Sequence, residues 1–514
     1  MNNKIKFLLI VFILVVYLPN IHTQDGFIKQ YSYDTINVLQ FYNVIYDGDY
    51  LVVYGRTLDV NTLYSGFYVS KVDTFGNVKN EVVVTYPNED HLISENKYEI
   101  IESNDGGYLL VGQLFYKNNG VLVKLDKDLN LVFIKDYSYN TLKYSNVRNM
   151  GIVESNEDYY ILSLKTLKSS GYHVITILKV NQSGELIWEK DYGTLGNDEV
   201  GYFSPSSTDD EIIIYGARQH NFYSASGSSW GMIYAIDTSG TVIWEHEDEP
   251  IGNQQYEPYE YVIRDDEGGW VVSQPKIHRP VKNSESTWSE QSRIRKLDGG
   301  FNVVWSLNLE NYLGYDLYKN ITAISTLESS DIIISGNTPT AVFPGVDGLS
   351  VSELAKINSG GNLKWMRYDT LFYGLDKSVL IENNKHIILP SGSIMLCGTI
   401  TTNSGEYYGF IEKLDKDGCL MPGCRDTSST EDLSDSKEVQ LYPNPATHEI
   451  QISGSIADIA RLRIYDQLGR SYADVMLDGD RRLNVSSWPD GVYIYSITPR
   501  EGGEKIEGKL IIIK

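Results

Sequence analysis

The stretch from Lys179 to Tyr192, KVNQSGELIWEKDY, sets the pattern for most of this chain. Apolar and polar positions alternate up to Val180, Ser183-Gly184 reverses the direction, and a second alternating run starts at Ile187 and Trp188, which predicts a β-hairpin. Seven such hairpins align on the residue that ends the inner strand: Asp73, Asp126, Asn181, Asp237, Asp298, Asn358 and Asp415, spaced 53 to 61 residues apart. Lys stands two positions earlier in all but one of them, where Ala235 replaces it. Gly stands three positions later at Gly76, Gly184, Gly240, Gly361 and Gly418, supplying the positive φ of a tight hairpin, while Leu129 and Phe301 hold that place in the other two. Seven positions later comes a ring: Phe133, Trp188, Trp244, Trp305 and Trp365.

A second hairpin precedes each of these. In one repeat Tyr98 to Glu102 alternates, Asn104-Asp105-Gly106-Gly107 turns, and Tyr108 to Val111 runs apolar; the same order appears in Arg264 to Ser273, Thr208 to Gly216 and Ser329 to Gly336. Continuous apolar runs of four or five residues fit strands covered on both faces. Four antiparallel strands per repeat make one propeller blade, and a blade buries its faces only against neighbours, so the expected fold is all-β, a seven-bladed β-propeller. The seventh repeat breaks at DGCLMPGC, Asp417 to Cys424, where Pro422 cannot donate to a ladder. FIKQY, Phe27 to Tyr31, matches FIKDY, Phe133 to Tyr137, so the N-terminal segment is expected to close blade seven as its fourth strand, the competitors being a six- or eight-bladed ring or an open array.

The boundaries follow from shifts in pattern. Residues 1–24 carry Lys4 and Lys6, then an apolar run from Phe7 to Leu18, the layout of a secretory signal and short for a membrane span. No Cys follows that run to take a lipid, and no later segment is long and apolar enough to cross a bilayer. The propeller is assigned to 25–424. Residues 425–437, RDTSSTEDLSDSK, read as a polar, acidic linker, and 438–514 as a small immunoglobulin-like β-sandwich. Its seven short strands lie near Val439–Tyr442, Glu449–Ile452, Arg461–Tyr465, Ser471–Val475, Arg482–Val485, Val492–Thr498 and Lys505–Ile513.

Composition sharpens the compartment. The 39 Tyr suit half-buried strands, and the net charge of -24 opposes nucleic acid and anionic membranes as partners. Cys419 and Cys424 flank Pro422-Gly423, a turn that would let them join in an oxidising compartment, whereas Cys397 reads as a small buried hydrophobe.

The last 75 or so residues carry recognisable motifs: LYPNPATHEIQI with Tyr442, Pro443, Asn444 and Pro445; RIYDQLGR with Gly469; WPDGVYIY with Gly491, Val492 and Tyr493; and the end KLIIIK with Lys514. Together and in this order they resemble the type A C-terminal sorting domain of the type IX secretion system of Bacteroidota, although Trp488-Pro489-Asp490 replaces the family's usual Leu-Pro before Gly-Val-Tyr. The resemblance implies an immunoglobulin-like sandwich, Sec export, partners in the outer-membrane translocon and its sorting peptidase, and a mature protein released or attached to surface polysaccharide.

Val180 to Trp188 and Ile236 to Trp244 resemble the outer hairpin of bacterial quinoprotein-like and other secreted propeller repeats. Those quinoproteins usually have eight blades and many pair adjacent cysteines, so seven repeats without Cys-Cys argue against quinone chemistry. Gly227 to Gly231, GSSWG, matches a nucleophile elbow but falls in a loop between strands rather than a strand-turn-helix setting. Asp415 to Gly418, DKDG, lacks the distal Glu of a calcium loop and reads as a hairpin turn. No cofactor and no metal site is expected, calcium on surface carboxylates being the one ion the acidic composition admits.

Recognition is therefore assigned to the loops joining second and third strands, which are aromatic and unequal: Phe115 and Tyr116; Phe222 and Tyr223 with Trp230; His278, Arg279 and Trp288; Tyr407 and Tyr408. The expected role is non-enzymatic binding or adhesion to a glycan or a protein. The alternatives are a propeller enzyme, hydrolase, lyase or quinoprotein-like, with carboxylates converging on the central channel, or a structural surface-layer component.

Overall fold

The computed structural model describes residues 26–33, 38–58, 65–86, 92–93, 100–117, 119–138, 143–193, 198–204, 206–220, 228–248, 255–278, 289–309, 320–327, 329–339, 350–369, 380–402, 405–420, 440–442, 446, 448–453, 460–466, 471–477, 482–489, 491–499 and 506–512. The predicted signal segment and acidic linker lie outside them. Every regular element among the described residues is a strand, and the chain divides into two compact units, Met1–Arg425 and Asp426–Lys514.

In the first unit four strands pair antiparallel in chain order again and again. Sheet 1 holds Val38–Tyr46, Leu51–Leu58, Ser65–Val72 and Val78–Val84. In sheet 2 Leu92–Ile93 and Ile100–Glu102 both pair with Tyr108–Leu114, followed by Asn119–Leu125 and Leu131–Tyr137. Sheet 3 holds Tyr144–Ser155, Asp158–Leu167, His173–Val180 and Leu186–Tyr192; sheet 4 holds Asp198–Phe203, Ile212–His220, Ser228–Ile236 and Val242–Glu247. Sheet 5 holds Tyr261–Arg264, Trp270–Ser273, Arg293–Leu297 and Val303–Asn308, and sheet 6 Asn320–Thr326, Ile332–Pro339, Ser350–Ile357 and Leu363–Asp369.

Sheet 7 differs in origin. Leu380–Ile388, Ile394–Thr401 and Tyr407–Leu414 follow in order, and Phe27–Tyr31 adds the fourth strand, with Phe27 opposite Lys413 and Tyr31 opposite Gly409. The register repeats that of the other sheets, where Phe133 faces Lys124, Trp188 faces Lys179, Trp305 faces Lys296 and Trp365 faces Lys356. Phe27 thus takes the place of the ring that the seventh repeat lacks. A single parallel pair, Val38 with Tyr407, connects sheets 7 and 1.

The apolar cores lie between consecutive sheets rather than within them. Sheets 1 and 2 share Tyr54, Phe67, Tyr108 and Leu110; sheets 2 and 3 share Val111, Tyr137 and Tyr159; sheets 3 and 4 share Tyr160, Ile177 and Ile214. The order continues through Tyr215 and Trp270, then Ile294 and Ile334, then Leu354 and Leu396. It returns to its start, because Tyr31, Phe41, Tyr68, Cys397 and Ile411 form one core between sheets 7 and 1.

The turns carry a second tie between neighbours. A methyl group on Gly184 would lie 3.1 Å from Phe133 Cε2, on Gly240 2.8 Å from Trp188, on Gly361 2.7 Å from Trp305, on Gly418 2.6 Å from Trp365, and on Gly76 2.6 Å from Phe27. Each ring therefore lies close against the turn glycine of the next sheet, a closeness that only a missing side chain permits. Tyr four positions on donates to that glycine's carbonyl: Tyr31 to Gly76, Tyr137 to Gly184 and Tyr192 to Gly240. Leu129 and Phe301 take left-handed φ of 65° and 63° despite their side chains. There the tie changes: Asn80 donates to the Asp128 carbonyl, and Phe301 packs with Trp244, Trp270 and His246.

In the second unit Gln440–Tyr442, Glu449–Ser453 and Arg482–Asn484 form one sheet, and Ser471–Leu477, Ala460–Asp466, Gly491–Pro499 and Ile506–Ile512 another. One core containing Leu441, Ile450, Leu462, Trp488, Tyr493 and Leu510 is shared by both.

Candidate functional site

At the tight-turn ends of the sheets, chemistry is consumed by structure. The turn Asp or Asn accepts two backbone N–H groups, as Asp126 does from Asp128 and Asn130 and Asp415 from Asp417 and Cys419. The repeated Lys pairs with an acid of the inner hairpin: Lys71 with Asp47, Lys124 with Asp105, Lys179 with Asp158, Lys296 with Asp265 and Lys356 with Asp331. Burial alone would raise the Asp47 carboxyl, yet hydrogen bonds from Tyr108, the Tyr50 N–H and Lys71 hold it below its ordinary value. Lys71, Lys124 and Lys179 also lie over the rings of Tyr108, Tyr159 and Tyr160 in the next sheet or their own. Among the described residues no group of three His, Cys, Asp or Glu is placed to hold a metal ion.

The opposite ends, where second and third strands connect, vary from sheet to sheet. Phe115 and Tyr116 follow Tyr108–Leu114 directly, 56% and 70% exposed, with ring centroids 5.3 Å apart and planes at 73°. Trp230 is instead a strand residue, 7% exposed, its Nε1 donating to Glu247 at 3.1 Å. It was expected in a loop; continuous pairing of Ser228–Ile236 with Ile212–His220 draws it into the sheet. The same pairing buries Ser229 at 1% exposure, so Ser228 to Gly231 lie in a strand and not at an elbow. Tyr407 and Tyr408 likewise open a strand and are half-buried, and Tyr408 donates to Glu406, its own hydroxyl pKa raised by burial and then by that carboxylate.

His278 ends the strand Lys276–His278, which pairs with Ser289–Gln291 and Gln255–Glu257, and Tyr256 in turn pairs in parallel with Ser229. The connection of sheet 5 is thereby laid against the start of the third strand of sheet 4. Phe222, Tyr223, Arg279 and Trp288 lie outside the described residues. Arg293 reaches Glu257 and Gln274, and Gln274 reaches Asp248, so the polar groups around this connection are engaged with one another. Cys419 is buried and disulfide-bonded, Cys424 lies outside the described residues, and Cys397 is a free buried thiol whose pKa burial pushes up.

Aromatic content alone missed the polar neighbours of Phe115 and Tyr116. Lys117 continues the same turn and lies 4.7 Å over the ring of Tyr86, which follows the outer strand of sheet 1. Burial raises the Tyr86 hydroxyl pKa, and its hydrogen bond to Asp136 adds to the effect. Asn119 donates to Asp136 Oδ2 at 3.0 Å. The dipeptide Tyr116-Lys117 was the available signal, but Tyr86 and Asp136 come from other strands and no local pattern links them.

Of the sorting motifs, Tyr442 lies in the strand Gln440–Tyr442, and Gly491, Val492 and Tyr493 open Gly491–Pro499. Tyr493 is buried and donates to the Pro489 carbonyl at 2.8 Å, while Trp488 and Tyr472 pack around it. Pro443, Asn444, Pro445, Gly469 and Lys514 lie outside the described residues.

Residues 440–514 match the secretion system C-terminal sorting domain. That domain marks the chain for export by the type IX secretion system to the cell surface or the medium. No curated protein matches the chain. Among solved structures it is similar to the β-propeller domain of the Trilobed protease from Pyrococcus furiosus, at 9% identity and TM-score 0.40 over 74% of this chain and 96% of that one. It is also similar to an endo-arabinase from Bacteroides thetaiotaomicron (14%, TM-score 0.31, 62% and 94%) and to extracellular domains 1-2 of Drosophila Semaphorin 1b (9%, 0.38, 77% and 86%). Among the described residues no helix is long and apolar enough to cross a membrane.

Proposed function

We propose that the first unit is a seven-bladed β-propeller whose last blade is completed by Phe27–Tyr31, and that the second is an immunoglobulin-like sandwich addressing it to the type IX translocon and sorting peptidase. The mature protein is a non-catalytic binding module for a glycan or a protein at the cell surface, with Cys419 joined to Cys424 beside the ring closure. What carries the reading is a contrast: the carboxylates at the turn ends are held by lysines and backbone N–H groups, while Phe115 and Tyr116 stand in solvent at the loop ends. A screen of the purified protein against glycan arrays and surface-protein extracts tests it, with reducing-end release from the same polysaccharides as the outcome that overturns it.

Glu382 favours the enzyme as second reading. It lies on the inner strand Leu380–Ile388, and burial holds its carboxyl above the ordinary range, as a proton-donating acid requires. Under the binding reading Glu382→Gln leaves ligand affinity unchanged; loss of a measured hydrolytic activity in that variant would establish the enzyme.

A further inference from the structure

We propose that Phe115, Tyr116, Lys117, Asn119, Asp136 and Tyr86 form a subsite for a neutral polysaccharide, at the junction of sheets 1 and 2. This deepens the binding-module reading and rests on it. Two exposed rings set at 73° present a ring face beside a ring edge, and the apolar C–H face of a pyranose or furanose packs on such a face. An isolated aromatic pair would serve any apolar partner. Here the rings are followed at once by donors and acceptors suited to hydroxyl groups: the Lys117 ammonium, the Asn119 amide and the exposed Asp136 carboxylate.

Asp136 is already oriented by Asn119 and Tyr86. An ionised carboxylate has roughly four lone-pair sites, so capacity remains for the paired hydroxyls of a sugar. Lys117 is braced over Tyr86, which fixes its position without neutralising it. The ligand is neutral because the protein is not: a net charge of -24 repels a polyanion within the Debye length of about 8 Å, and one lysine does not reverse that field. The site also falls at the one junction where Asn80 and Leu129 stand in for the ring-on-glycine tie. The repeat is thus set aside on this junction.

The test is affinity gel electrophoresis of the purified protein through laminarin, xylan, arabinan and galactomannan as neutral probes, and polygalacturonate and alginate as acidic ones. At least one neutral probe is expected to retard the protein, insensitively to salt, with retardation weakened about tenfold or more in F115A/Y116A and several-fold in Asp136→Asn. Thermal melts of the variants check that they fold. Retardation by acidic probes alone, or neutral binding untouched in folded F115A/Y116A, overturns the subsite while leaving a binding module elsewhere on the loop ends. Retardation by no polysaccharide, with capture of a surface protein, also overturns the subsite and spares the module. Cleavage of a probe overturns the module itself.

Discussion

The two ends of the sheets obey different rules. At the tight-turn ends the same tie recurs from neighbour to neighbour: a ring on a glycine, a Tyr hydroxyl on its carbonyl, a Lys on an Asp. At the connecting ends the described residues differ from sheet to sheet, from the exposed turn at Phe115 to the hairpin that carries His278 onto sheet 4. Repetition marks where residues hold neighbours together, because similar junctions pose the same packing problem. Variation marks where that problem is absent, so the residues there can differ with the ligand they meet.

The hardest blow to this contrast falls on the junction of sheets 7 and 1. Deleting Phe27–Tyr31 removes two rings from the sheet 7 to sheet 1 contact and leaves Tyr407–Leu414 as an open edge. Each buried aromatic contributes roughly 1.5–3 kcal/mol, so stability should fall by about 5 kcal/mol in denaturant titrations. An unchanged midpoint would mean that the junction with Phe27 holds nothing. Next comes Trp305→Ala, expected to cost about 3 kcal/mol by removing a ring packed on Gly361 and a hydrogen bond to the Ser359 carbonyl.

A smaller effect depends on pH. His386 is fully buried between sheets 6 and 7, its Nδ1 2.7 Å from Ser335 Oγ. Burial lowers its pKa to about 3, and the charge of Lys385 adds to this. A base depressed in the fold takes its proton only when unfolded. As pH falls below about 6.5 the unfolded state therefore gains protons that the folded state refuses, and stability declines until pH nears 3. By pH 5 the loss is about 2 kcal/mol relative to pH 7.5, and His386→Gln should lack that part of the slope in paired denaturation curves. Identical slopes would mean that the ring is protonated in the fold.

The strands, turns and register of the first unit were legible because they are local and repeated. Asp, Gly and ring at fixed spacing state a hairpin, and FIKQY beside FIKDY identifies a strand with the same neighbours as Phe133. Leu129 and Phe301 looked like departures, yet both enter the left-handed turn, since seven similar surroundings impose the geometry on the two odd residues. The candidate site was only half legible. Phe115 and Tyr116 stood out as adjacent rings in a loop, but Trp230 and Tyr407 were drawn into strands by pairing that a loop-length argument does not register. Asp136 and Tyr86 carry no signal at all, because their proximity is created by the packing of sheet 1 on sheet 2.

The junction of those two sheets also separates holding from binding. Asn80→Ala should cost about 1 kcal/mol, the worth of its hydrogen bond to the Asp128 carbonyl and well below the loss in Trp305→Ala. F115A/Y116A should change stability least of all. Both rings stand largely in solvent, touch each other, and are not among the residues of the core between sheets 1 and 2, so truncation is expected to stay within about 0.5 kcal/mol of the parent. Equilibrium unfolding of parent and variant side by side measures it. A loss above 2 kcal/mol would place the pair among the structural rings and erase the distinction between the two ends, whereas near-identical curves leave the rings with work only outside the fold.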